Sequence, residues 1–322
     1  MESLGNRART AIATLWAGSP VLTGTGLMMA VVLVASLIGM IVDPRIITGA
    51  PAWLKPVKFA VSTTIYMLTL AWIFTLLHEW RRTRRVVGWV TAVILVLEVA
   101  IIDTQAWRGT TSHFNISTIL DGVLFSIMGL SIVLQTLTSV AVALALWRQS
   151  FADRALAWAL RFGMVITILG ASTGGLMTRP TAAQLEGART TGRMAIAGAH
   201  TVGAPDGGPG LPGTGWSVQH GDLRVPHFLG LHAMQLLPLV ALTLRRRRSL
   251  ETRRVRLVLV AVSSYSALFV ILLWQALRGQ SLAQPDGATI AALGAWAILS
   301  AGTAWLIASR RAVSSSHAAV IA

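Results

Sequence analysis

The residues able to do chemistry fall into two stretches. The first runs from Glu98 and Asp103 through Gln105-Ala-Trp-Arg108 to His113. The second is Gly221-Asp-Leu-Arg-Val-Pro-His-Phe-Leu-Gly-Leu-His-Ala-Met-Gln-Leu-Leu-Pro238, which carries His227, His232 and Gln235 into an apolar segment. Imidazoles ligate haem and metals and move protons near neutral pH. A carboxylate such as Glu98 or Asp103 serves as a base, and Lys58 as an anion holder. Arg108 and Arg278 are suited to hold phosphate or propionate groups. Lys55 and Lys58 stand out because every other basic residue is arginine. Each residue also has a plainer role. His113, His220 and His227 fit an interface, the lysines can snorkel, the two arginines can cap helix ends, and Glu98 can serve a structural ion pair.

These residues must be positioned by membrane spans. Of the 322 residues 54% are hydrophobic and 12% charged, with mean hydropathy +0.66. Soluble chains carry about 25% charged residues. A spanning helix needs about 20 mainly apolar residues. Eight segments qualify, at 21–42, 59–78, 87–107, 117–147, 156–177, 225–244, 257–277 and 288–309. The fourth is overlong. The chain lacks cysteine, which excludes disulfides and thiolate chemistry. The first apolar run has no cleavage pattern after it and reads as a retained helix.

The net charge of +15 points to topology rather than to nucleic acid. Arg7 and Arg9, Arg81 to Arg85, Arg148 and Arg154, Arg245 to Arg256, and Arg310 and Arg311 all fall on one side of the eight spans. That pattern predicts cytoplasmic termini in a bacterial inner membrane. The Gly- and Pro-rich loop at about 178–224 is then extracytoplasmic. Its Gly208, Gly210 and Gly213 match GxGxxG, but no strand precedes them, and two prolines interrupt. Asn115-Ile-Ser117 matches a glycosylation sequon without consequence in a bacterial chain.

Gln105-Ala-Trp-Arg-Gly109 ends the third span and Gln275-Ala-Leu-Arg-Gly279 the seventh, while Lys58-Phe59 and His227-Phe228 open the second and sixth. The expected fold is therefore all-α, with eight transmembrane helices as two parallel four-helix repeats, 1–150 and 151–322. Gly170 and Gly174 have the spacing of close helix packing. Glu98 lies about 15 Å below Arg108 at a helical rise of 1.5 Å. On an unbroken helix Gln235 falls between His227 and His232. The polar residues thus gather in the half nearest the long loop, and a pocket among spans two, three, six and seven is expected there.

Trp53-Leu-Lys-Pro-Val-Lys-Phe59 and Gln105-Ala-Trp-Arg-Gly-Thr-Thr-Ser-His-Phe-Asn115, with the opening stretch, resemble a family of uncharacterised bacterial multispan membrane proteins. That resemblance covers most spans and implies no activity. Eight spans in two parallel halves also resemble the architecture of haem A synthases, which place a histidine pair in each half. Here Lys58 stands where the second span would need a histidine, and the eighth span has none, so the resemblance implies one haem at most.

The leading expectation is a haem- or transition-metal-binding redox protein, with two of His113, His227 and His232 as ligands, Arg108, Arg278, Gln105 and Gln235 around the cofactor, and Glu98 relaying protons. A second is a cofactor-free enzyme with Glu98, Lys58 and Asp103 acting on a lipid-linked or anionic periplasmic molecule. The third is a transporter, set against an inner half whose only polar groups are Thr138, Ser139 and Ser263 to Ser266. A fourth is a sensor or assembly factor touching anionic lipid. The partners expected are membrane lipid and an anionic small molecule or quinone.

Overall fold

The computed structural model describes residues 4–247 and 249–309, apart from the side chains of Leu4 and Arg7. Of the arginines assigned to one face, Arg248, Arg310 and Arg311, with the side chain of Arg7, lie outside the described residues.

The chain is a multi-pass helical membrane protein. Seven helices are long and apolar enough to cross a membrane, or eight when the bent pair is counted as one span. In order these are α2 (Pro20–Val42), α3 (Leu54–Leu76), α4 (Arg81–Trp107), α5 (Ile119–Arg148), α6 (Arg154–Met177), the pair α8 (Arg224–Leu231) and α9 (Ala233–Arg246), α10 (Glu251–Leu277) and α11 (Gly287–Ser309). All eight expected segments are found, and the fourth is the longest at 30 residues. Helix starts follow from capping side chains. Ser19 accepts from Leu22 N before Pro20, Thr118 from Asp121 N, and Asp153 from Ala155 N and Leu156 N.

Two helices were not expected. α1 (Leu4–Gly18) exposes Ile12 and Trp16 beside Arg9, the pattern of a helix lying in the interface. α7 (Ala182–Thr191) sits in the long loop, its start fixed by the reciprocal Thr181–Gln184 capping box. Two antiparallel ladders complete the fold. Ile46–Ile47 (β1) pairs with Ala50–Pro51 (β2), and Thr201–Val202 (β3) pairs with Gly221–Asp222 (β4).

Two of the arginine-bearing turns, the one after α5 and the one after α9, meet on one face. Arg254 meets Asp153 at 2.8 Å, Arg154 N donates to Glu251, and Arg161 donates to the carbonyls of Leu146 and Gln149. The opposite face carries the 178–223 loop, which is stitched down. Ile116 N donates to Ala195 O, Ala197 N to Phe114 O, Ala199 N to Met177 O, and Ser281 Oγ to Ser217 O.

The sixth span bends by 45° at His232, so the continuous wheel that placed Gln235 between the two histidines does not apply. The break leaves backbone groups that lipid cannot satisfy. Thr167 Oγ1 donates to Leu231 O and accepts from Met234 N, and Tyr265 Oη donates to Leu229 O. α8 lies against α6 at near backbone contact, where a Cβ on Gly170 would stand 2.6 Å from Gly230. Only glycine permits that approach.

Candidate functional site

The centre of the site is His113, in the turn between α4 and α5. Lys55 Nζ lies 3.0 Å from its Nδ1 and Ser112 Oγ 3.1 Å from the same atom. On the other side of the ring Nε2 faces Glu98 Oε1 at 3.7 Å. The first turn of α3 places Lys55, and the middle of α4 places Glu98. Phe59 packs on the imidazole at 5.8 Å, and Lys55 stands over Phe59. Glu98 is buried, and its Oε2 has no hydrogen-bond partner.

A second pair adjoins this row through Phe114, whose ring contacts His113 on one side and His200 on the other, at 6.1 and 4.8 Å. His200 Nδ1 meets Asp206 Oδ2 at 2.6 Å, and Asp206 also accepts from the backbone N–H groups of His200 and Thr201. Those donors hold the Asp206 carboxyl well below its usual range, although burial alone would raise it. Burial lowers the pKa of His200 despite Asp206. Asp206 is therefore ionised and His200 neutral, with Nδ1–H donating. For His113 burial again dominates, and Lys55, His200 and His227 push the same way, holding it well below the usual histidine value. Lys55, His200 and His227 are thus near enough to His113 for their charges to act on it.

His227 extends the cluster from α8. Its Nδ1 sits 2.7 Å from Gly170 O and 3.2 Å from Thr173 Oγ1. The carbonyl requires a donor, so the proton is on Nδ1 and Nε2 carries the lone pair. Lys58 donates to Thr214 O, and Arg224 to Gly215 O. Arg224 is clamped by Asp222 at 2.5 Å. Lys58 and Arg224 therefore fasten the 214–215 turn of the long loop to the starts of α3 and α8.

Several expected site residues are engaged elsewhere. Arg108 pairs with Asp121 at 2.6 Å and with Gln105, whose Nε2 also donates to Asp121. Arg278 pairs with Asp286 and stacks on Trp274. Each joins the end of one span to the start of the next. His232 packs against Phe228 with the rings tilted at 57° and their centroids 4.2 Å apart, and Gln235 lies beside the bend. Asp103 is half-buried with Oδ1 unpartnered. The structure thus brings together Lys55, Glu98, His113 and His227, and adds His200 and Asp206, which sequence reasoning missed. Among the described residues no group of three or more His, Asp or Glu side chains is placed to hold a metal ion.

Gln105 and Gln275 make matching local structures. Gln105 Nε2 donates to Thr111 O and Gln275 Nε2 to Ser281 O, each six residues on, and Gly109 and Gly279 follow with φ of 74° and 71°. In both an arginine three residues after the glutamine pairs with an aspartate at the next span.

The chain matches no protein-family profile, no curated protein and no solved structure.

Proposed function

We propose that the protein is an inner-membrane protein of bacteria with an outward-facing acid–base pocket for an anionic small molecule, either soluble or lipid-linked. The observation that carries this is the row Lys55–His113–Glu98, in which half-buried Lys55 and His113 lead to buried Glu98, beside a loop tied down by Lys58. With Lys55 as an ammonium, its N–H donates to Nδ1 of His113. The ring proton then lies on Nε2, facing Glu98. This arrangement can pass a proton between Glu98 and a guest while the lysines hold the guest's charge. His200 has the orientation of a general base, with Nδ1–H fixed on Asp206 and Nε2 left to accept. The arginine-rich face is the cytoplasmic one in this reading. The matching turns at Gln105 and Gln275 support two parallel four-helix repeats.

The test is calorimetric titration of the detergent-purified protein with inorganic phosphate, acetate and phosphatidic acid. Binding of at least one, weakened in Lys58→Met, is expected. No binding by any of them, or binding unchanged in the variant, contradicts the reading.

A second reading keeps a haem. His200 and His227 each have Nδ1 anchored, on Asp206 and on Gly170 O, which leaves Nε2 as ligating histidines present it. His200 and His227 would hold the iron of a haem, which would supply electron transfer. A Soret absorption lost in His227→Ala and in His200→Ala supports this reading, and a colourless protein containing no iron removes it.

A further inference from the structure

The face of α4 that carries Glu98 holds a polar residue at every seventh position: Arg84, Thr91, Glu98 and Gln105. Seven residues are close to two helical turns, so the four lie in one line. Between Arg84 and Gln105 that line covers about 31 Å at 1.5 Å per residue. The hydrocarbon core is about 30 Å thick. The stripe faces inward, since Thr91, Glu98 and Gln105 are 0%, 2% and 1% exposed.

Three of the four carry a buried polar atom with no hydrogen-bond partner: Arg84 Nε, Thr91 Oγ1 and Glu98 Oε2. The helices packed on α4 add more at the same depths. Gln135 lies as far down α5 from Asp121 as Thr91 lies down α4 from Gln105, and Gln105 bonds Asp121 directly. Met128 clusters with Ile101 and Ile102 between these levels, so the register holds. Gln135 Oε1 is also unpartnered, while its Nε2 donates to Tyr66 Oη, which bonds Ser139 Oγ. On α2, Ser19 lies against Gly88 of α4, which puts Thr23 one turn further along, level with Thr91. Thr23 Oγ1 is fully buried and unpartnered too.

Buried polar atoms in native proteins are nearly always bonded to protein or to ordered water. A buried polar site with room for a water and two to four partners for it holds water, whereas an apolar one stays dry. Lipid cannot supply the bonds. We infer that the stripe on α4 lines an internal file of water, and that this file conducts protons between the arginine-rich face and the Glu98–His113 pair. Each stripe interval of about 10 Å is bridged by about three waters at hydrogen-bond spacing. A proton entering at one end passes along the file by successive transfers. Each water accepts one proton and releases another, and Glu98 takes up and releases one in turn. The inference shares Glu98 with the proposed pocket but does not depend on the anion that pocket binds.

The test is proton flux into vesicles containing the reconstituted full chain and a trapped pH-sensitive dye, driven by a potassium gradient with valinomycin. Wild-type flux above that of protein-free vesicles is expected. Glu98→Gln should return it to the protein-free level. Thr91→Val keeps the shape of the side chain and removes its hydroxyl, so it should lower the flux while leaving phosphate and acetate titrations at the outer pocket unchanged. Thr91→Val also covers the case in which Glu98→Gln does not fold. Wild-type flux no greater than in protein-free vesicles, or flux equal in wild type and Thr91→Val, overturns the inference. Neither result depends on whether an anion binds.

Discussion

Replacing Gly170 with alanine tests the crossing that positions His227. The new Cβ would stand 2.6 Å from both Cα and C of Gly230 and 2.7 Å from Leu231 N. All three are backbone atoms, so no rotamer change relieves the contact and α8 must move off α6. Overpacking costs about 1–3 kcal/mol, and an all-backbone clash belongs at the upper end. The shift also lengthens the Gly170 O to His227 Nδ1 bond, a loss of about 1 kcal/mol. Against this, alanine in place of a mid-helix glycine returns about 1 kcal/mol. The net expectation for Gly170→Ala is destabilisation by about 3 kcal/mol. Gly174 is the control, one turn along on the same helix, with only the His227 ring near its Cβ position, Cε1 at 3.5 Å and Nδ1 at 3.9 Å. There the propensity gain is unopposed, so Gly174→Ala should be neutral or stabilising. Unfolding by SDS in mixed micelles, followed by tryptophan fluorescence, gives both values. A Gly170→Ala protein as stable as wild type would refute the packing argument.

The loop-side histidines predict a pH dependence. His113 and His200 have folded pKa values below the ordinary 6.5, so below that pH the unfolded chain binds protons that the folded one does not. Stability should therefore fall as pH drops from 6.5 toward the folded values, by up to about 1.4 kcal/mol per pH unit for each histidine. Thermal melts of wild type and His200→Gln would show the slope reduced in the variant, and parallel slopes would contradict it. Asp121→Asn should lower the melting temperature more than Asp286→Asn, because Asp121 is 4% exposed against 37% for Asp286. Equal shifts would count against that ranking. Thr167→Val removes the hydroxyl serving two backbone groups at the bend of the sixth span. It should cost about 1–3 kcal/mol, read by the same SDS titration, and no loss would show that the bend is satisfied otherwise.

The spans were legible because an apolar run long enough to cross a bilayer has few other uses in a chain this poor in charge. The Lys55–Glu98–His113 grouping was partly legible, from two lysines against an arginine background and a carboxylate deep in a span. His200 and Asp206 were not, because they sit in a loop where no periodicity ties a residue to a face. A histidine followed six residues later by an aspartate in a Gly/Pro-rich turn was the one trace. The bend at His232 escaped because its cause lies on other helices, in Thr167 and Tyr265. Pro238, the visible breaker, sits inside α9. Arg108 and Arg278 were read as anion clamps, since sequence spacing does not reveal that Asp121 and Asp286 open the next spans within their reach. The inner half looked dry from composition alone. It is the seven-residue register on α4, and what packs against it, that lines up its few polar atoms.

The central claim is a pocket on the loop face, open to the outside and holding Lys55, Lys58 and His113. The chain has no native cysteine, so single replacements report cleanly. The most direct measurement is labelling of Lys58→Cys and of Gln219→Cys in intact cells by a membrane-impermeant maleimide. Both cysteines should react from outside, Gln219→Cys quickly and Lys58→Cys more slowly beneath the loop. Reaction of either only after the cells are opened would contradict the account.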